Sequence, residues 1–166
     1  MSKRKFFILY LATVGLFVVY WSYRNWSLIK AQTGLKCRPV MRGLFLIFFL
    51  HSLAETVQRE ADQRSVVVPY ALKSHATALV VLFAMGHLLD LLTTNSIGEP
   101  YLDILANVLL FTLSAMVWRF QQVINVVSGD ADGSRNKRFT GGNIVVLILG
   151  TISWGFYLYD LFIPAH

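Results

Sequence analysis

Hydrophobic positions gather into five runs that hold no Asp, Glu, Lys or Arg: residues 6–23, 43–54, 74–89, 104–118 and 143–159. A helix crosses the ~30 Å hydrocarbon core of a bilayer with about 20 mostly apolar residues. Backbone in lipid has to satisfy its own hydrogen bonds, so runs of this kind are read as helices. The pattern predicts an all-α, polytopic transmembrane helical bundle that takes up the whole chain as a single membrane domain, 1–166. Helices are expected near 6–23, 43–54, 73–93, 101–127 and 143–163. The last three are firm spans, and the first two are crossing or re-entrant helices.

The polar segments between the runs orient the bundle. Basic residues crowd into 24–42 (Arg24, Lys30, Lys36, Arg38, Arg42) and 119–142 (Arg119, Arg135, Lys137, Arg138), whereas 94–103 carries Glu99 and Asp103 and no cation. Loops rich in Lys and Arg stay in the cytoplasm. The segments 24–42 and 119–142 are therefore expected inside, with 94–103 and the C-terminus outside.

The second run has only 12 charge-free residues, about 18 Å of helix. It is expected to lie re-entrant or interfacial and to continue as a solvated helix through 53–65, where Glu55–Arg59 and Glu60–Arg64 are i,i+4 pairs. The first run either crosses and leaves Lys3, Arg4 and Lys5 outside, or turns back at Thr13-Val14-Gly15 and keeps every cation inside. Four full spans, a re-entrant start and five full spans are the topologies the pattern allows. The basic start followed by an apolar stretch imitates a signal peptide, but no small-x-small site follows it, so the segment is expected to be retained. Tyr20, Trp21, Tyr23 and Trp26, and Trp118 beside Arg119, suit the headgroup level.

Composition changes little in this picture. Charged residues make up 14% of the chain, against about 25% in soluble domains. The net charge of +6 comes from cations at the ends of apolar runs, where they set topology, so no nucleic-acid partner is expected. The single cysteine, Cys37, allows no intrachain disulfide and no thiol cluster for a metal.

Polar residues inside the runs are the best clue to function. Asp103, Asn107, Ser114, Gln121 and Asn125 fall within about 40° of one another around a helix. Such a stripe should face other helices, a symmetry axis or water rather than lipid. In the last run Asn143, Gly150, Ser153, Tyr157 and Asp160 form a matching face, with Gly150 and Ser153 small enough for close helix approach. In the third, His75, Gly86, Asp90 and Thr93 share a face.

Two carboxylate–imidazole pairs, His51 with Glu55 and His87 with Asp90, each lie on one helical face. They are expected toward opposite sides of the membrane, so they make no common metal site, although a proton relay fits histidine chemistry. No phosphate loop, HExxH, GxSxG or CxxC is present. The acids of 128–134 read as a solvated turn, the basic 135–138 suits anionic headgroups, and Thr140 reads as the cap of the last helix.

The function expected from the residues is helix-mediated association, with a second copy or as an accessory subunit of a membrane system. The alternatives are a channel or transporter subunit with a pathway lined by 103–125, and a lipid-modifying enzyme using one of the histidine pairs. The expected partners are membrane lipids and another membrane protein or copy. No cofactor, metal or catalytic set is expected.

The stretch 13–26 also carries a motif. Thr13, Gly15, Leu16, Phe17, Tyr20, Trp21, Tyr23, Arg24, Asn25 and Trp26 resemble the opening T-x-G-[LI]-[YF]-x-x-Y-W-x-Y-[KR]-N-W of an uncharacterised family of small bacterial multipass inner-membrane proteins. The segment from Pro39 and Arg42 into the second run, and Asn125, Arg138, Phe139 and Asn143 near the end, resemble later parts of the same family. The resemblance implies a bacterial inner-membrane setting and carries no activity with it.

Overall fold

A computed structural model describes residues 1–95, 97–98 and 100–162, with the side chains of 157, 158 and 160–162 outside the description. Among the described residues the chain is all-helical: α1 (Lys3–Ala12), α2 (Phe17–Thr33), α3 (Pro39–Leu44), α4 (Leu46–Gln63), α5 (Leu72–Thr94), α6 (Tyr101–Val127) and α7 (Gly141–Phe162). Two of these, α5 and α6, are long and apolar enough to cross a membrane. The apolar α7 follows them. Glu99 and residues 163–166, part of the charge argument for the far loop and the C-terminus, lie outside the described residues, as do the side chains of Tyr157 and Asp160.

The first run is two helices, because the chain turns back at 13–16. Gly15 N–H reaches the Tyr10 carbonyl at 2.9 Å and Val14 N–H reaches that of Leu11 at 3.2 Å. This is the paired closure that ends many helices with a left-handed residue. That residue is Val14 (φ 49°), followed by Gly15 (φ 87°). A β-branched residue is an outlier in this region, while glycine occupies it freely.

Thr13 ties the two arms together. Its Oγ1 donates to the Leu9 carbonyl at 2.9 Å and accepts the Phe17 N–H at 2.9 Å. The result is a helical hairpin in which Phe6 and Phe17 meet edge to face at 5.9 Å. Phe6 also packs on Tyr10 and on Trp118 of α6, with centroids 5.8 and 5.5 Å away.

The second run also reverses. α3 packs back along α2, with Ser22 Oγ donating to the Arg42 carbonyl at 3.1 Å. α4 then sets off in the opposite sense after Phe45. Arg42 fixes the corner, its guanidinium stacked 4.0 Å from the Trp26 ring and 5.3 Å from that of Phe49. α4 continues without a break through Gln63, as its pattern predicts. Of the two expected ion pairs along it, Glu60–Arg64 forms at 3.3 Å. Glu55 turns instead to Lys73 of α5 at 3.9 Å, an exposed contact worth little.

The long helices supply the frame. α5 and α6 run antiparallel, joined where His75 meets the Met116 carbonyl at 2.9 Å. α4 lies along α5, and Arg64 Nη1 donates to the Val127 carbonyl at 2.8 Å. α7 docks on α1: Trp154 Nε1 donates to the Leu11 carbonyl at 3.0 Å. Gly150 lies so close to the Ala12 carbonyl that any side chain would collide with it. Gly150 thus makes the close approach expected of it.

The opening of α7 departs from expectation in one detail. Asn143 Oδ1 accepts both the Thr140 N–H and its hydroxyl at 3.0 Å. Thr140 is the cap, and Asn143 reaches back to it as in a capping box, so Asn143 serves the helix start rather than a helix–helix face.

These contacts set the ends of the molecule. Met1, the 128–140 loop, the foot of α2 and the junction of α4 with α5 share one end. The turn 13–16, the start of α6 and the last turns of α5 point away from it. No Lys or Arg occurs in 6–23, 74–118 or 139–162, so the cations all lie toward the first end, the basic end. The accessible surface is 10306 Å², roughly a quarter above the about 8,300 Å² of a compact soluble chain of this size. Much of the excess is apolar, with Val81, Leu88, Ile104, Val108, Phe111, Ile148 and Phe156 all exposed.

Candidate functional site

The polar face of α6 divides at the level of the hairpin tip. Leu110, on that face, packs against Gly15, and the face is covered from there down. Ser114, Gln121 and Asn125 are buried inside the chain. Above that point the hairpin has already turned back. Asn107 is exposed and Asp103 half-exposed. The stripe is one face by spacing and two environments in space.

Toward the basic end, the buried half joins the first hairpin in a chain of amides. Trp21 Nε1 donates to Gln121 Oε1 at 2.6 Å, and Gln121 Nε2 donates to Asn125 Oδ1 at 2.7 Å. Asn125 Nδ2 donates to the Met1 carbonyl at 2.9 Å. Asn25 Nδ2 donates to the Trp21 carbonyl at 2.9 Å and lies 3.5 Å from Gln121 Oε1. Unpaired, each buried amide would cost about 1–3 kcal/mol; joined, they set the hairpin's register on α6. Ser114 takes no part, its hydroxyl donating to the Phe111 carbonyl at 2.7 Å within its own helix.

A cavity of about 430 Å³ opens beside these amides, between the hairpin, the lower α6, the 128–140 loop and the first turn of α7. Lys5, Arg24 and Arg135 line it, with Asp130 as the one carboxylate among the lining residues. Lys5 is only 3% exposed. Its ammonium donates to Asn136 Oδ1 and to the Arg138 carbonyl, both at 2.7 Å. Among the described residues it has no ion-pair partner. Burial first, and then the like charge of Arg24, hold the Lys5 ammonium below its ordinary pKa. Asp130 is engaged by its own loop, accepting the Ser134 hydroxyl at 3.1 Å and the Arg135 N–H at 3.3 Å. The expected solvated turn of 128–134 is thus also one wall of a cavity.

The carboxylate–imidazole pairs do not form as pairs. His51 Nε2 meets Thr77 Oγ1 at 2.9 Å, bridging α4 and α5, while Glu55 faces Lys73. His87 and Asp90 are exposed on α5, and His87 lies ten residues beyond Thr77, ~15 Å along the helix. The two sets are far apart. Among the described residues no three His, Cys, Asp or Glu side chains converge as metal ligands.

Sequence reasoning missed the hairpin's share of the site. Trp21 and Trp26 read as headgroup aromatics, yet they are 2% and 0% exposed and belong to the core. Asn25, one helical turn from Trp21, was the available signal, since the pair puts a donor and an amide on one face. Lys5 read as a flanking charge, because nothing local marks a lysine that a distant loop will cover. No protein family, curated protein or solved structure matches the chain.

Proposed function

We propose that the chain is a small multipass membrane protein that acts by helix-mediated association, a second copy packing against the outer half of α6. In this reading α5, α6 and α7 cross the bilayer, the two hairpins enter it from the basic side, and that side is cytoplasmic. The cation-free far half and the apolar exposed surface support the reading. The inner-membrane and bacterial setting rests on the motif of 13–26.

The carrying observation is Asn107: an exposed amide among exposed Ile104, Val108 and Phe111, uncovered because the hairpin turns back at the level of Leu110. One amide proton serves the Asp103 carbonyl at 2.8 Å; the carbonyl oxygen and the second proton need a partner in lipid. A second Asn107 across a two-fold axis supplies both, since an amide is donor and acceptor at once. Native mass spectrometry of the protein extracted with its membrane patch should give a homo-oligomer that Asn107→Leu reduces to monomer. A monomeric parent protein, or an oligomer unchanged in that variant, would overturn the proposal.

A second reading is favoured by polar surface on both sides of the half-depth hairpin: Asp103 and Asn107 beyond its tip, the amide-lined cavity below. A pore or transporter subunit would keep that face wet. With Cys37→Ser as background, Phe111→Cys, which is exposed about one turn from Asn107 and leaves its amide intact, should then react with a membrane-impermeant thiol reagent; under association it stays protected in the oligomer.

A further inference from the structure

We propose that the cavity at the basic end binds a phosphate-bearing anion, with Lys5, Arg24 and Arg135 as its charge partners and the buried amides of Asn25 and Gln121 fixing its orientation. This cavity is separate from the association surface, which lies beyond the hairpin tip.

A lysine that is 3% exposed ordinarily sits against a carboxylate, because an unpaired buried charge is costly. Among the described residues the Lys5 ammonium has two neutral oxygens, Asn136 Oδ1 and the Arg138 carbonyl, and the Phe139 ring 5.8 Å away, but no carboxylate. Arg24 and Arg135 line the same space, and Asp130 is already held by Ser134 and Arg135 N–H. Three cationic side chains thus face one carboxylate around about 430 Å³ of space, within the range of ordinary ligand sites.

The cationic excess calls for an anion. Guanidinium groups pair with phosphate through two parallel hydrogen bonds, and an ammonium adds a point charge. The walls come from two distant stretches of chain, 1–32 and 121–143, and five of the polar side chains there, Lys5, Asn25, Gln121, Asn125 and Asn143, are each 5% exposed or less. The site is built into the fold rather than spread on its surface. It opens at the end where the cations gather, where phospholipid headgroups of one leaflet and soluble phosphate compounds are both at hand.

Two probes separate these sources. The full chain is placed in nanodiscs of neutral phosphatidylcholine and titrated with inorganic phosphate. It is also reconstituted in discs doped with graded fractions of phosphatidylglycerol, and thermal unfolding is followed in both series. Saturable stabilisation is expected with at least one probe. Arg24→Gln, an exposed residue whose loss spares the fold, should weaken it about tenfold, as should Lys5→Gln. Arg59→Gln, an exposed cation of α4 outside the cavity, should leave it unchanged. A response to phosphatidylglycerol alone assigns a lipid headgroup; a response to phosphate assigns a soluble ligand. No saturable response to either probe, or equal weakening in Arg59→Gln, would overturn the proposal.

Discussion

Tyr70 lies in the link between α4 and α5, its ring 4.8 Å from the imidazole of His75 and its phenolic oxygen buried with no hydrogen-bond partner among the described residues. A hydroxyl stranded in this way costs about 1–3 kcal/mol relative to one that is satisfied. Tyr70→Phe keeps the ring against His75 and removes the stranded group, so it should raise stability by about 1 kcal/mol, measurable as a higher midpoint in detergent. Burial also pushes the phenol up from 10.0 to about 12, with Arg119 opposing the shift. The unfolded chain releases this proton near 10.0 while the folded one holds it to about 12. Stability from this source is therefore intact below pH 10 and falls as pH rises toward 12. The parent protein should lose stability relative to Tyr70→Phe across that window and in no other.

At the scale of the element, the turn at 13–16 decides whether the first run is a span or a hairpin. Thr13 closes α1 and opens α2 with one hydroxyl. Thr13→Val keeps the shape and strands the buried Phe17 N–H, which should cost about 1–2 kcal/mol, read as a lower thermal midpoint by circular dichroism. Apolar periodicity could not distinguish hairpin from span, because both bury the same residues over the same length. Thr-Val-Gly marked the place of the turn, and counting cations supplied the reason. The break between α3 and α4 was harder to read. It is set by Arg42 between Trp26 and Phe49, a contact between residues far apart in sequence. By contrast α5 and α6, which follow from run length and composition, came out close to their expected bounds. The polar stripe of α6 was legible as a face, but its division into buried and exposed halves depends on how far a separate hairpin reaches.

At the scale of the molecule, all cations lie toward one end, and this makes the topology testable. With Cys37→Ser as background, cysteines replacing Ser2, Ser65 and Ser134 should react from one side of the membrane, and a cysteine replacing Ile97 from the other. Labelling of positions 2 and 97 from the same side would mean that the first run crosses. The architecture has a further consequence for how the protein is made. Met1 and Lys5 are synthesised well before their hydrogen-bond partners Asn125, Asn136 and Arg138. α2 can pack on α3 as soon as Arg42 is made, whereas α1 has no partner outside the hairpin until the lower half of α6, with Trp118 and Asn125, has been synthesised. A nascent chain stalled before residue 118 would carry α1 without its partners on α6, the 128–140 loop and α7, and this early helix would be among the last to reach its final place.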